Sequence, residues 1–167
     1  AVRDWVKKEV SPIIEGYAQA AKCPVHLFKG LANVGAFGPT IPTAYGGGGM
    51  DEISYGLIMQ ELERGDSGIR SMASVQGSLV MYPIYKFGSE EQRRKYLPGL
   101  GSGDLIGCFG LTEPDHGSNP SGMLTKIVED GDDVILNGSK MWITNSPIAD
   151  IAVVWAKDEK GIIKGII

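Results

Sequence analysis

Phe109-Gly-Leu-Thr-Glu-Pro-Asp-His-Gly-Ser-Asn-Pro120 closes an apolar run and opens a loop crowded with glycines and polar side chains. Such a loop presents many backbone N–H groups. Fixed donors of this kind suit the polar edge of a heterocycle and a pyrophosphate, which mobile cations would hold less well. Further on, Met141-Trp-Ile-Thr-Asn145 sets a large flat aromatic beside hydroxyl and amide groups. Alone, Trp142 reads as a core or interface residue. Paired with the first run, it becomes a candidate cofactor wall.

The texture of the chain changes just upstream. Residues 1–103 carry 11 basic and 10 acidic residues, whereas 104–167 carry 5 and 10. Before the change the apolar spacing is helical. Trp5, Val6, Val10, Ile13, Ile14 and Tyr17 form one stripe, and Leu27, Leu31 and Val34 a second. A Gly/Pro loop over 35–49 leads to a third, with Ile53, Leu57, Ile58, Glu61 and Leu62, and Asp51 is placed to cap it. Residues 69–85 read as largely buried helix, broken before Pro83. Ser89-Glu-Glu-Gln92 has the form of a capping box and opens a basic helix to about Leu97.

After the change, 105–111, 123–129, 134–137 and 148–157 read as strands, with Asp130-Gly131-Asp132 as a hairpin turn. A polar turn over 157–161 leads into a last apolar strand. Helices followed by antiparallel strands predict an α+β chain with a helical domain over 1–103 and a β-domain over 104–167.

The composition bounds function. The 167 residues carry a net charge of −4, which argues against a general nucleic-acid binder. No apolar run approaches the roughly 20 residues of a membrane helix, and the charged start is unlike a secretory signal. Cys23 and Cys108 form no C-x-x-C pair, so a reducing compartment is the simple expectation. The first residue is not Met and the last residues are apolar, which reads as a fragment.

Several runs imitate functional motifs. Gly46-Gly-Gly-Gly49 lacks the Lys-Ser/Thr of a phosphate loop and reads as a flexible loop before a helix. Gly65-Asp-Ser-Gly68 echoes a protease nucleophile, but with only two histidines in the chain it reads as structural. Glu113, Asp115 and His116 crowd Pro114 too tightly to converge on one ion, so no metal site is expected.

The two opening runs resemble the acyl-CoA dehydrogenases. The family's Gly-Leu-Thr/Ser-Glu-x-x-x-Gly-Ser-Asp signature appears as Gly110-Leu-Thr-Glu-x-x-x-Gly117-Ser118-Asn119, and its Trp-Ile-Thr/Ser-Asn stretch as Trp142-Ile143-Thr144-Asn145. His116 stands in place of the usual small residue and Asn119 in place of the usual Asp. The resemblance spans essentially all 167 residues. It implies an all-α N-terminal domain, then the start of an antiparallel β-barrel domain, with the family's C-terminal four-helix domain absent from this chain. It implies that Phe109, Gly110, Leu111 and Thr112 line an FAD isoalloxazine, Thr112 bonding its pyrimidine edge. By the same resemblance Gly117 and Ser118 serve the pyrophosphate, Ser118 also the acyl-CoA. Trp142 stacks on the flavin, with Ile143 beside it and Thr144 near N5. The catalytic base of the family is a glutamate beyond residue 167, so no catalytic residue is assigned here.

Glu61-Leu-Glu-Arg-Gly-Asp-Ser-Gly-Ile-Arg-Ser71, followed by Ser74-Val-Gln-Gly-Ser-Leu-Val-Met81, most resembles the glutaryl-CoA dehydrogenase branch. That likeness implies that Arg70 and Ser71 meet the distal carboxylate of the substrate and that Glu63 belongs to the same hydrogen-bond network. An arginine amid Gly68, Ile69, Met72 and Ala73 must find an anion if it is buried. A salt bridge to Glu63 or Asp66 is the alternative. The implied activity is FAD-dependent oxidation of glutaryl-CoA with loss of CO2 to crotonyl-CoA. The rivals are a short-chain monocarboxylic acyl-CoA dehydrogenase or oxidase, and a non-catalytic acyl-CoA-binding member. Implied partners are an acyl-CoA, an electron-transfer flavoprotein and three further copies in a homotetramer. The implied compartment is the bacterial cytoplasm or the mitochondrial matrix.

Overall fold

A computed structural model describes residues 1–131 and 133–167, which divide into two compact units, Ala1–Ile106 and Gly107–Ile167. In the first unit, α1 (Val2–Trp5) continues into a π-helical turn, Val6–Val10, that buries Val6 and Val10. The single amphipathic helix expected as far as Tyr17 is interrupted. Pro12 has no N–H to donate, and α2 (Ile14–Gln19) restarts after a turn without burying a residue fully. In α3 (Leu27–Asn33), Leu27, Phe28 and Leu31 are buried.

The Gly46–Gly49 run is not free to cradle a ligand. The N–H groups of Gly48, Gly49 and Met50 donate to the carbonyls of Gly38, Ile41 and Pro39. At Gly47 a Cβ would lie 2.1 Å from the Ile41 carbonyl oxygen, so the loop folds tightly on itself.

Asp51 caps α4 (Glu52–Glu63) as expected, its carboxylate accepting from the Ser54 N–H at 2.8 Å. The expected stripe is met only in part. Leu62 is fully buried and Ile58 half-buried, and Met59 joins them inside, while Ile53 and Leu57 are 74 % and 58 % exposed. The segment offers two apolar faces at helical spacing, and packing against α1 and α5 selects one. Arg3 grips Glu61 with two parallel bonds of 2.8 and 2.7 Å, tying α1 to α4.

Residues 67–87 form one continuous helix: α5 (Ser67–Ser74), a π-helical stretch (Val75–Met81) and α6 (Tyr82–Phe87). The break expected before Pro83 does not occur. The Tyr82 N–H reaches the Gly77 carbonyl five residues back, and this wider turn accommodates the proline. Ile69, Met72, Ala73, Val75, Val80, Met81 and Ile84 of this helix supply much of the core. Gln76 is fully buried, and its amide donates to the carbonyls of Leu100 (2.9 Å) and Leu105 (2.7 Å).

The capping box of Ser89 and Gln92 opens α7 (Glu90–Ser102). The helix outruns the expected end at Leu97, passing through Pro98 to Gly103. An interior proline costs about 3 kcal/mol. Full burial of Leu97 and Leu100, each contributing about 1.5–3 kcal/mol, offsets it.

The second unit is a five-stranded sheet: β1 (Gly107–Gly110), β2 (Lys126–Asp130), β3 (Asp133–Asn137), β4 (Ile151–Lys157) and β5 (Ile163–Ile166). The order is β1-β4-β2-β3, with β5 also on β4. The β2/β3 and β4/β5 pairs are antiparallel, as expected. Of the turn expected at Asp130-Gly131-Asp132, Asp132 lies outside the described residues, and Gly131 has a φ of 65°. The sheet is mixed rather than purely antiparallel, because β1 runs parallel to β4, Gly107 facing Ile151 and Gly110 facing Val154. Parallel neighbours need a long crossover. Residues 111–150 provide one, and that crossover carries both opening runs. Cys108, Met123, Val153 and Ala156 are buried within the unit.

Candidate cofactor site

Within the second unit the chain leaves β1 at Gly110 and returns at residues 138–145 to lie against the segment it has just left. The Met141 N–H donates to the Thr112 carbonyl at 2.9 Å. Lys140 Nζ donates to the Leu111 carbonyl at 3.0 Å and to Glu113 Oε1 at 2.8 Å. The fold thus brings Phe109, Gly110, Leu111 and Thr112 together with Trp142, Ile143 and Thr144.

Trp142 is not a core residue. Its indole is 83 % exposed, and its backbone sits at φ 60°, in the left-handed region that bulky residues avoid. The residue is held from both sides. Met141 is bonded to Thr112, and Asn145, also left-handed at φ 69°, is buried and donates its side-chain amide to the Gly107 carbonyl at 3.2 Å. Backbone strain of this kind persists where surrounding structure over-determines it. Gly117, Ser118 and Thr144 are exposed, while Phe109, Leu111, Thr112 and Ile143 are half-buried. Phe109 presents itself edge-on to Trp155, ring centroids 6.1 Å apart. An outward indole, exposed hydroxyls and a loop of glycines fit a flat heterocycle that carries a polar edge and a phosphate tail.

Glu113 is the residue that sequence reasoning undervalued. Its backbone pairs with His116 across a tight turn, and its side chain is buried away from Asp115 and His116. Oε2 accepts from the Leu124 N–H at 2.6 Å. Oε1 accepts from the Thr125 N–H at 2.9 Å, from the Thr125 hydroxyl and from Lys140. Burial works to raise its pKa. Bonds from Leu124, Lys140 and Thr125 outweigh that and hold it at about 2. The available signal was Lys140, the one basic residue between Lys126 and Lys157. Among the described residues no three His, Cys, Asp or Glu side chains gather as a metal site, and no helix is long and apolar enough to cross a membrane.

In the helical unit, Arg70 Nε donates to Glu63 Oε2 at 2.7 Å, and Glu63 Oε1 accepts from the Ser67 hydroxyl at 2.5 Å. These bonds, that of Ser67 foremost, hold the Glu63 carboxyl below the usual range. Asp66, the other partner weighed for Arg70, instead caps α5 at the Ile69 N–H. Ser71 is half-buried, and its carbonyl accepts from the Ser74 hydroxyl. The Nη atoms of Arg70 hold no hydrogen-bond partner among the described residues.

Residues 1–104 match the acyl-CoA dehydrogenase N-terminal domain, and 108–166 match the middle domain. A glutaryl-CoA dehydrogenase from Mycobacterium smegmatis, solved in complex with FADH2, is 52 % identical, with a TM-score of 0.94 over 98 % of this chain and 42 % of its own. A probable acyl-CoA dehydrogenase of Bacillus subtilis is 41 % identical over 99 % of this chain and 45 % of its own length. The human mitochondrial short-chain specific acyl-CoA dehydrogenase is 37 % identical over 96 % and 39 %. The chain therefore spans less than half the length of these relatives. Two domain matches that follow one another through nearly every residue leave a single assignment: the chain belongs to the acyl-CoA dehydrogenase family, whose members are FAD-dependent oxidoreductases.

Proposed function

We propose that the chain is part of an FAD-dependent glutaryl-CoA dehydrogenase, with its domain boundary at 103/104. FAD is held by the two runs joined at Thr112 and Met141. Thr112 offers a hydroxyl and backbone to the ring's polar edge, and Trp142 with Ile143 provides a wall. Phe109, Gly110 and Leu111 form the floor, Thr144 stands near the reactive edge, and Gly117 and Ser118 serve the phosphates. When bound, FAD accepts the β-hydride of an acyl-CoA as a carboxylate base takes the α-proton. No residue of this chain is proposed as that base. The residues here bind, orient and exclude water.

Arg70 carries the choice of substrate. Nε is engaged by Glu63 while both Nη atoms remain available, so the guanidinium is oriented by one carboxylate and open to a second. Ser71 stands beside it. Loss of CO2 from the oxidised glutaryl group would then give crotonyl-CoA. Electrons pass to an electron-transfer flavoprotein, and the protein works as a homotetramer in the bacterial cytoplasm or mitochondrial matrix. A second reading, a short-chain monocarboxylic enzyme, is favoured by the ion pair itself, since Glu63 already gives Arg70 an anion.

The two separate on anaerobic mixing of the full-length flavoprotein with glutaryl-CoA or butyryl-CoA while flavin absorbance is followed. Fast bleaching with glutaryl-CoA, slow bleaching with butyryl-CoA and loss of that preference in Arg70→Met support the first reading. The opposite preference, kept in Arg70→Met, supports the second.

A further inference from the structure

Buried Glu113 and half-buried Lys140 form an ion pair that is itself assigned no contact with the flavin, yet it joins the two segments that are. Three consecutive residues on one side, Leu111, Thr112 and Glu113, are each bonded to Lys140 or Met141 on the other. Two of these three links run through the Lys140 ammonium. Buried ion pairs are weak stabilisers, because taking both charges out of water costs about what their attraction returns. Their directional strength lies in fixing register. Glu113 would remain well served without Lys140, since Leu124 and Thr125 supply three donors to it from a third segment. The lysine is therefore dispensable to the carboxylate and specific to the alignment of residues 111–113 with 140–142.

We infer that Lys140, anchored on Glu113, is a positioning residue that sets Thr112 and Trp142 in register for the flavin. The inference rests on the flavin reading above. Slipping this seam would re-aim Trp142, whose left-handed backbone begins one residue after the last bond of the seam. It would leave the strands, which pair elsewhere, in place.

The test uses the full-length protein, stripped of flavin and titrated with FAD while flavin fluorescence and visible circular dichroism are recorded. Lys140→Met should raise the FAD dissociation constant roughly 10–100-fold, the worth of one or two charge-assisted hydrogen bonds, and change the dichroism of the bound flavin. Lys140→Arg should restore part of both. Thr125→Val removes a bond to Glu113 without cutting the seam. It should lower the melting temperature yet keep FAD affinity within about twofold of wild type. Should Lys140→Met not fold, Lys140→Gln carries the same test. Unchanged affinity and dichroism in the Lys140 variants, or affinity lost in Thr125→Val in step with its melting temperature, overturns the positioning role alone. Wild-type protein that takes up no FAD overturns the flavin reading and this inference with it.

Discussion

Glu113→Gln is the perturbation whose magnitude follows most directly from the geometry. The carboxylate accepts four hydrogen bonds, one from an ammonium, and titrates at about 2 in place of the ordinary 4.5. A depressed pKa means that the charged form is the one the fold stabilises. Each unit of depression is worth about 1.4 kcal/mol, so the charged carboxylate contributes about 3 kcal/mol at neutral pH. That contribution is complete above pH 4.5, shrinks as pH falls below it, and is gone near pH 2. Glutamine has nearly the same shape but cannot carry the charge, and its NH2 must meet N–H groups that need an acceptor.

The assay is urea unfolding of wild type and Glu113→Gln between pH 2.5 and 7, followed by tryptophan fluorescence, Trp142 and Trp155 both lying in this unit. The stability gap should be about 3 kcal/mol and flat from pH 7 to pH 5, then close steadily toward pH 2.5. A gap below about 1 kcal/mol at pH 7, or one that does not change between pH 5 and 2.5, would refute the reasoning.

Two further substitutions test the packing and the exposed indole. Leu100→Ala empties a fully buried position of α7 beneath the Gln76 amide and should cost about 2–5 kcal/mol in thermal unfolding, with no effect on flavin affinity in the surviving fold. Trp142→Asn places at φ 60° a residue that tolerates the left-handed region. Stability should hold or rise by up to about 1 kcal/mol while FAD affinity falls; a stability loss beyond that would make the indole structural.

Local chemistry was legible in the sequence where donor and acceptor lie within one turn. Asp51 over Ser54 and Ser89 with Gln92 are such cases, and both helices start where those residues place them. Proline shows where local rules end. Pro12 breaks its helix, but Pro83 and Pro98 ride inside theirs, because the π-helical turn and the burial of Leu97 and Leu100 come from tertiary packing. In α4 the spacing offered two apolar faces, and only the neighbouring helices choose Met59 and Leu62 over Ile53 and Leu57. The parallel β1/β4 pair depends on where the 111–150 crossover returns, which no window of sequence reports. The two signature runs were legible as runs. Their joint was not, because a Glu–Lys pair 27 residues apart looks like any other two charges until the chain is folded.

That joint bears on how Trp142 is held in a left-handed backbone, which costs a bulky residue about 1–3 kcal/mol. A chain free to relax would shift its φ. Here it cannot, because Lys140 and Met141 are fastened to residues 111–113 on one side and Asn145 to Gly107 on the other, leaving three residues to span fixed ends. The strain is thus held by several bonds at once, of which those of Glu113 and Asn145 involve buried side chains that are costly to leave unpaired. A surface prepared in this way needs little rearrangement to accept a flat partner, and the cost of ordering it is met during folding rather than at binding. The same logic ranks the mutations: cutting the seam at Lys140 should harm binding more than folding, whereas removing the Glu113 charge should harm both.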